Sequence, residues 1–372
     1  MISLVRFFRL EGLLVSTMIG AGIFALPYIF YKSGWVLGIG YLLFFGVIMT
    51  IAHSLYWRVL VKISDRKGLL GLTRDYLGAP GFYIGFLAIL GGLLLSLVAF
   101  LILSSSFMVL IFPGVNFATS VIFFWLLATI PLFLRSRRFL GVELFGGVVI
   151  VAVVFLILFS AFPLGDLPNV PKVNWGNLFL PFGAILFSLG AWTAIEPMID
   201  SETQTDKFKK GSRWREVFSG ASIVVIVYLM FVLAVLSSGG EVAPDAISGL
   251  SLWGGSRLVL LGILGLFSIW TTYLPIALES RVLIERDLKS SRRLSLGLVS
   301  FLPIVLVFMG LNSFLDVVFL VGGVFLAAQY LLIVLVARKI LDLGFKMRVA
   351  TLFMALIFLV GAVYEIYYFI VR

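Results

Sequence analysis

The sequence predicts an all-α polytopic membrane protein with eleven transmembrane helices, and three observations carry that prediction. Of 372 residues, 62% are apolar and only 12% charged, with a mean hydropathy of +1.16; an ordinary soluble domain has about 45–50% apolar and about 25% charged residues. Apolar runs recur along the whole chain at the length of about 20 residues that spans about 30 Å of hydrocarbon. The basic residues fall almost entirely on alternate connections between those runs. A net charge of +10 on a chain with no long polar segment excludes a nucleic-acid-binding domain, and the positive-inside rule accounts for the excess.

The runs extend from Glu11 to Tyr31, Gly34 to Leu55, Phe82 to Phe112, Phe117 to Leu134, Phe139 to Phe162, Leu178 to Ile199, Val217 to Ser237, Leu258 to Ile284, Leu296 to Gly310, Phe314 to Ala337 and Val349 to Val371. The first is read as a span and not a signal peptide, because Glu11 follows the basic residues and the second run arrives with no small-residue cleavage site between. With the amino terminus in the cytoplasm, 24 of the 28 Lys and Arg residues lie on the cytoplasmic side, leaving Lys32, Lys172, Arg257 and Arg372 outside. One miscounted span would scramble that division. The count therefore also puts the carboxyl terminus outside. The cytoplasmic stretches Lys62 to Gly78 and Gln204 to Phe218 interleave basic and apolar residues, as interfacial helices on an anionic leaflet do; plain solvated loops are the alternative.

The chain has no cysteine and one histidine, His53, so disulfides, thiol catalysis and Cys-containing zinc sites are excluded. It contains no GxxxxGK[ST], HExxH or GxSxG, which argues against ATP hydrolysis by the chain itself and against a membrane-embedded hydrolase or lipid-handling enzyme. No cofactor is expected.

Two spans carry the same punctuation. The first reads Ser16-Thr17-Met18-Ile19-Gly20-Ala21-Gly22-Ile23 and then Pro27; the sixth reads Phe187-Ser188-Leu189-Gly190-Ala191-Trp192-Thr193 and then Pro197. A shift of 170 positions superposes Gly20 on Gly190, Ala21 on Ala191 and Pro27 on Pro197. Small residues in a span often serve close helix packing, but matched Gly-Ala pairs in two spans that enter the membrane from opposite sides predict an inverted repeat with helices broken near the midplane.

The run from Thr17 to Tyr28 (TMIGAGIFALPY) resembles the signature of the amino acid/polyamine/organocation superfamily, closest to its aromatic amino acid permease branch. His53-Ser54-Leu55-Tyr56, Tyr76-Leu77-Gly78, the segment Pro181 to Leu189 and Ala194-Ile195-Glu196-Pro197 agree with that branch. Two positions depart from it: Arg58 stands where the branch tends to carry Glu, and Glu196 precedes Pro197 where the branch places an acid after the proline. The resemblance implies a plasma (inner) membrane of prokaryotic type and a leucine-transporter-like fold. In it, residues 1–162 form a first repeat of five spans, 163–177 an outer loop, 178–337 the inverted second repeat, and 338–372 the eleventh span.

It also implies a secondary transporter importing an amino acid by cation-coupled symport. The substrate carboxylate would meet the N–H groups of Ala21, Gly22 and Ile23 at a half-helix start, where the dipole favours an anion and Gly20 and Gly22 keep side chains out of the way. Its ammonium would meet carbonyls near Thr17, Met18, Phe187 and Ser188, with Gly190 and Trp192 completing the lining. No Asp, Glu, Lys or Arg stands among these residues, which favours a neutral zwitterion, since an unpaired charge in low dielectric is expensive. The aromatic lining favours a large apolar or aromatic side chain. A carrier of the same fold for a nucleobase or polyamine is the alternative, the polyamine requiring acidic residues at the breaks.

For coupling, the resemblance implies a Na+ site from the carbonyls of Ser16, Ile19 and Ser268 with the hydroxyls of Thr271 and Thr272; back-bonding of those hydroxyls to the preceding turn is the structural alternative. Proton coupling would point to Glu279 or His53. Glu279 is also expected to pair with Arg281 at the cytoplasmic mouth, His53 to be a hydrogen-bonded structural residue, and Glu143, Asp316 and Glu365 to meet water or headgroups.

Overall fold

The computed structural model describes residues 2–63, 67–133, 148–149, 151–157, 159, 170–203, 214–238, 242–250 and 255–371, without the side chains of 2–9 and 201–203. Among these residues every regular element is helical. In chain order the helices are α1 (Ile2–Met18), α2 (Leu26–Ser33), α3 (Trp35–Lys62), α4 (Leu69–Ile111), α5 (Phe117–Phe133), α6 (Pro181–Leu189), α7 (Ile195–Thr203), α8 (Trp214–Leu236), α9 (Gly255–Asp287), α10 (Arg292–Phe308), α11 (Phe314–Phe319), α12 (Ala327–Ile340) and α13 (Phe345–Val371). Among the described residues seven helical segments are long and apolar enough to cross a membrane, or eight when the bent pair Leu10–Met18 and Ala21–Ser33 is taken as one span. Glu143, most of the fifth predicted span and residues 204–213 lie outside the described residues.

Of the two predicted interfacial stretches, 62–78 contains a helical segment that ends at a sharp kink. Gly78 has φ +73°, a left-handed conformation that glycine adopts without steric cost, so Leu69–Leu77 runs in a different direction from the rest of α4. Leu69, Leu70, Leu72 and Thr73 are buried while Arg74, Asp75 and Tyr76 are exposed, the two-sided pattern of a helix lying along a surface.

The membrane part of α4 is the central strut, packed along α9 and also against α5, α10 and α12. Small residues let the two long helices approach: a side chain at Gly262 would meet the Phe107 carbonyl, and one at Gly265 the Phe107 ring. The same device recurs where α6 meets the tenth predicted span, which between α11 and α12 contains a π-helical turn, Leu320–Leu326. A Cβ at Gly322 would overlap the Gly183 carbonyl. On the outside, α13 shows Leu352, Phe353, Leu356, Leu359, Val360 and Val363 to the surroundings. A continuous apolar exterior of this kind on a long helix suits lipid, not water.

A paired substitution tests this packing. Gly322→Ala should lower the midpoint of thermal unfolding in detergent by an amount reflecting about 1–3 kcal/mol of overpacking, whereas Gly40→Ala, on an exposed helical position with open space around it, should be neutral or stabilise by up to about 1 kcal/mol.

Candidate functional site

The first break falls at Ile19 and Gly20. α1 ends at Met18, Gly20 is extended at φ −121° and ψ −149°, and the chain resumes as a 3-10 turn, Ala21–Ala25, leading into α2 with Pro27 in its first turn. The two arms bend by 45°. The second break has the same construction: α6 ends at Leu189, Gly190 and Ala191 are non-helical, and a 3-10 turn, Trp192–Ala194, leads into α7 with Pro197 near its start. A proline there costs little, because the first N–H groups of a helix have no intrahelical acceptor.

Hydrocarbon offers no hydrogen-bond partner, so backbone groups freed inside a span must face a cavity or be satisfied by side chains. The Tyr228 hydroxyl of α8 lies 2.7 Å from the Met18 carbonyl and 2.6 Å from the Ser188 carbonyl, sharing its single proton between the two breaks. On the other flank of the second break, the Ala191 N–H donates to the Tyr330 hydroxyl at 3.0 Å, and that hydroxyl is hydrogen-bonded to His53 Nε2 at 2.7 Å. Trp192 Nε1 donates to Gln329 Oε1 at 2.5 Å, and Gln329 Nε2 donates to the Ala88 carbonyl of α4 at 2.8 Å. The two breaks also touch directly: a Cβ at Gly22 would fall 2.6 Å from Ser188 Cα.

A cavity of about 140 Å³ opens between the breaks, α4, α9 and the tenth predicted span. Of the residues predicted from the sequence, Thr17, Met18, Gly20, Ala21, Gly22, Phe187, Gly190 and Trp192 line it, with Thr272 and Glu279. Ile23 and Ser188 do not. Ile23 is fully buried, and Ser188 lies behind Gly22 with its hydroxyl donating to the Ala184 carbonyl at 2.8 Å. His53 also stands outside the cavity, buried and engaged with Tyr330, the structural role expected as its alternative. Beyond the cavity Phe24 packs edge-on against Phe107 and Phe231, with ring centroids 5.3 and 5.5 Å away. A separate vestibule lined by Lys32, Ser106, Asp245 and Asp316 lies on the far side of that aromatic layer.

Ser268, Thr271 and Thr272 cluster on α9 next to the first break, with Thr272 Cγ2 3.2 Å from the Cβ position of Gly20. Both threonine hydroxyls bond back to the Ser268 carbonyl, at 2.7 and 3.1 Å, and Ser16 likewise bonds back to Leu13 at 3.0 Å. Two groups at the cluster are nonetheless available to a ligand: the Ser268 hydroxyl is buried without a partner, and Pro275 has no N–H with which to occupy the Thr271 carbonyl.

Two acidic residues depart from expectation. Glu279 does not pair with Arg281; it lines the cavity, and Arg281 pairs with Glu285 at 3.5 Å. Residues two apart on a helix point about 200° away from each other, so Arg281 turns toward α5, where it donates to the Leu132 carbonyl at 3.2 Å. The cavity thus has an acidic end, and Glu196, held by the Tyr56 hydroxyl at 3.0 Å, and Arg286 are charge neighbours of Glu279. Glu365 does not meet water: it is 3% exposed, between α6 and the π-helical turn.

Sequence reasoning missed Gly92, Ser96 and Phe100 of α4 and Gln329 of α12, all in the cavity wall. Gln329 was the discoverable one, as a lone amide in an apolar run.

Two interrupted helices back to back around a buried cavity, inside a bundle with an apolar exterior, define a multi-pass membrane carrier of small solutes. The chain belongs to the transmembrane amino acid transporter protein family, whose model matches residues 8–238. Its fold is similar to that of MhsT in complex with L-phenylalanine, at 13% identity over 96% of this chain and 97% of that one, with a TM-score of 0.64. It is likewise similar to the manganese transporter of Eremococcus coleocola in complex with an aromatic bis-isothiourea substituted compound, at 15% identity over 98% of this chain and 87% of that one, with a TM-score of 0.63. At such identities the likeness is one of fold. No curated protein matches the chain.

Tyr228→Phe removes the donor that both breaks use. It should lower the unfolding midpoint in detergent by the equivalent of about 1–3 kcal/mol, the cost of leaving buried carbonyls unpaired, while Tyr367→Phe at an exposed position should leave it unchanged.

Proposed function

We propose that this protein is a secondary active transporter that imports a neutral amino acid with a large apolar or aromatic side chain, coupled to Na+ or H+, by alternating exposure of the cavity between the two breaks. The observation that carries this reading is the shared cavity itself: it is walled by interrupted main chain from both helices at Gly20–Gly22 and Gly190–Trp192. Peptide N–H groups at the start of the resumed helix favour a carboxylate, and peptide carbonyls at the end of α1 favour an ammonium. Membership of the amino acid transporter family supports the substrate class, and the L-phenylalanine named with MhsT supports an aromatic side chain. Among the described residues no group of three or more His, Cys, Asp or Glu could hold a metal ion, so nothing here favours manganese as cargo.

The protein on this reading has eleven spans in two inverted repeats of five, residues 1–162 and 178–337, joined by the outer segment 163–177 and followed by an eleventh span in 338–372. The amino terminus is cytoplasmic and the carboxyl terminus outside, in a plasma membrane. The cavity then extends toward the cytoplasm, since Glu279 lies near the cytoplasmic end of its span, while Phe24, Phe107 and Phe231 close it from the vestibule side. Ser268, Thr271 and Thr272 with the carbonyls of Ser16 and Ile19 form the Na+ site, the unpartnered Ser268 hydroxyl being the observation in its favour; hydroxyls and carbonyls suit a hard monovalent cation.

Glu279 favours a second reading, a cationic solute such as a polyamine. It stands seven residues beyond Thr272, about 10 Å along the helix. That distance leaves the backbone-lined end neutral, so the zwitterion reading leads.

Uptake of each of the twenty amino acids and of putrescine into proteoliposomes, with and without Na+, decides between the readings. A large neutral amino acid should be taken up and putrescine should not; the reverse order would establish the second reading. Replacing Thr271 and Thr272 together by Val should abolish stimulation by Na+, and stimulation that persists in that variant would remove the Na+ site.

A further inference from the structure

Glu365 is a buried carboxyl that neither the cavity nor the Na+ cluster uses. A carboxyl inside a span is costly and is retained where it does something. Three elements converge on it. From α6, Gly183 faces the carboxyl so closely that a Cβ there would fall 2.7 Å from Oε1. From the π-helical turn, Gly323 packs against its Cγ and Cδ. Its own helix, α13, is brought close to α6 by Gly361, which faces the Phe182 ring. Glycines on all three sides allow the main chains to close around one acidic side chain, and single π-helical turns of this kind mark functional positions in helices.

Among the described residues no Lys, Arg or His lines the gap beside Glu365. The titratable groups nearest it are Tyr364 and Tyr368 on its own helix, with Tyr41 of α3 beside Tyr364. From α6 and the tenth span it is faced by Leu180, Gly183, Phe319 and Gly323, none of which titrates. The small gap beside Glu365 shares Leu180, Phe319 and Tyr368 with the vestibule that also holds Lys32, Asp245 and Asp316. The gap beside the carboxyl and the vestibule are thus walled by the same three side chains.

We propose that Glu365 is a proton-binding site loaded from that vestibule, and that its protonation state sets how firmly the first half of the sixth span is seated against the tenth and eleventh spans. The chemistry is a single proton transfer: hydronium gives up a proton, an O–H bond forms on the carboxylate and water is left. The ionised carboxylate attracts both the Gly183 N–H and the positive end of the nine-residue helix α6, which clamps α6. Protonation cancels that attraction and frees α6 to pivot at the Gly190 break. Proton loading is thereby linked to the movement that opens the cavity. This rests on the reading of the chain as a secondary transporter, and it adds a proton to, and does not replace, the Na+ cluster on α9.

The test uses the full-length protein in two measurements. Infrared difference spectra between high and low pH should show a protonated-carboxyl C=O band that Glu365→Gln removes; an unchanged band in that variant overturns the assignment of the proton, whatever the protein transports. In proteoliposomes, Glu365→Gln should lose stimulation of L-phenylalanine uptake by an inward proton gradient while keeping L-phenylalanine exchange at equal pH. Gradient stimulation that survives in Glu365→Gln overturns the coupling. Should Glu365→Gln fail to fold, Glu365→Asp keeps the proton but withdraws it from Gly183, and a shifted infrared midpoint is expected, an unshifted one contradicting the contact. Absence of any amino acid exchange by the unmodified protein would count against the transport reading alone, since the infrared titration still decides Glu365.

Discussion

A helix interrupted inside a membrane frees peptide groups where no water can reach them, and this constraint organises the molecule around Tyr228. Its hydroxyl, held on an unbroken helix, reaches the last carbonyl of α1 and the carbonyl of Ser188 at 2.7 and 2.6 Å. One proton serves two acceptors that belong to different repeats of the proposed architecture. Neither break is therefore independent of the other: moving either first half withdraws its carbonyl from a donor it shares. Such a link suits a carrier, because two packed elements with discrete arrangements, and not a continuously soft structure, carry conformational change.

The remaining contacts distribute what moves and what stays. α4 and α9 are pressed together along Phe107 by Gly262 and Gly265 and form one closely packed wall. The tenth span reaches across to the second break through Gln329 and Tyr330, and Gln329 ties that grip back to α4 at Ala88. His53 completes this group from α3. Its Nε2 lies 2.7 Å from the Tyr330 hydroxyl and 3.3 Å from the Ala191 nitrogen, so a histidine that titrates near neutrality in water is held here inside a buried hydrogen-bond group. Beyond the cavity, Phe24 follows directly on the first break and packs edge-on against Phe107 of that wall, so the break and the aromatic layer are joined through one short stretch of chain.

The sequence made the breaks legible because their cause is local: glycine without a side chain, and proline without an N–H, act on their own peptide groups, and the 170-residue repetition of Gly-Ala and Pro exposed both. What the breaks require in return was not legible. Tyr228 lies 210 positions from Met18 and Tyr330 lies 139 from Ala191, and nothing in a run of apolar residues says which tyrosine faces inward. Helix phase misled in one case: Glu279 and Arg281 are near in sequence but lie on opposite faces, and the assumption of a pair concealed an acidic residue in the cavity wall. The place of Glu365 near the end of a peripheral span predicts water or headgroups around it, whereas Gly183 and Gly323 leave room for it to turn inward. The neutrality of the site, inferred from the absence of charges beside the breaks, holds for the backbone-lined end of the cavity and not for its far end.

The central claim is that one cavity bounded by both breaks holds the solute. The chain has no cysteine, so Ser96→Cys places a unique thiol in the cavity wall on α4. The rate of its alkylation by a small maleimide should fall when the amino acid taken up most strongly is added at saturating concentration, and return when that amino acid is removed. A rate unaffected by a saturating transported amino acid would show that the solute binds elsewhere and would contradict the account.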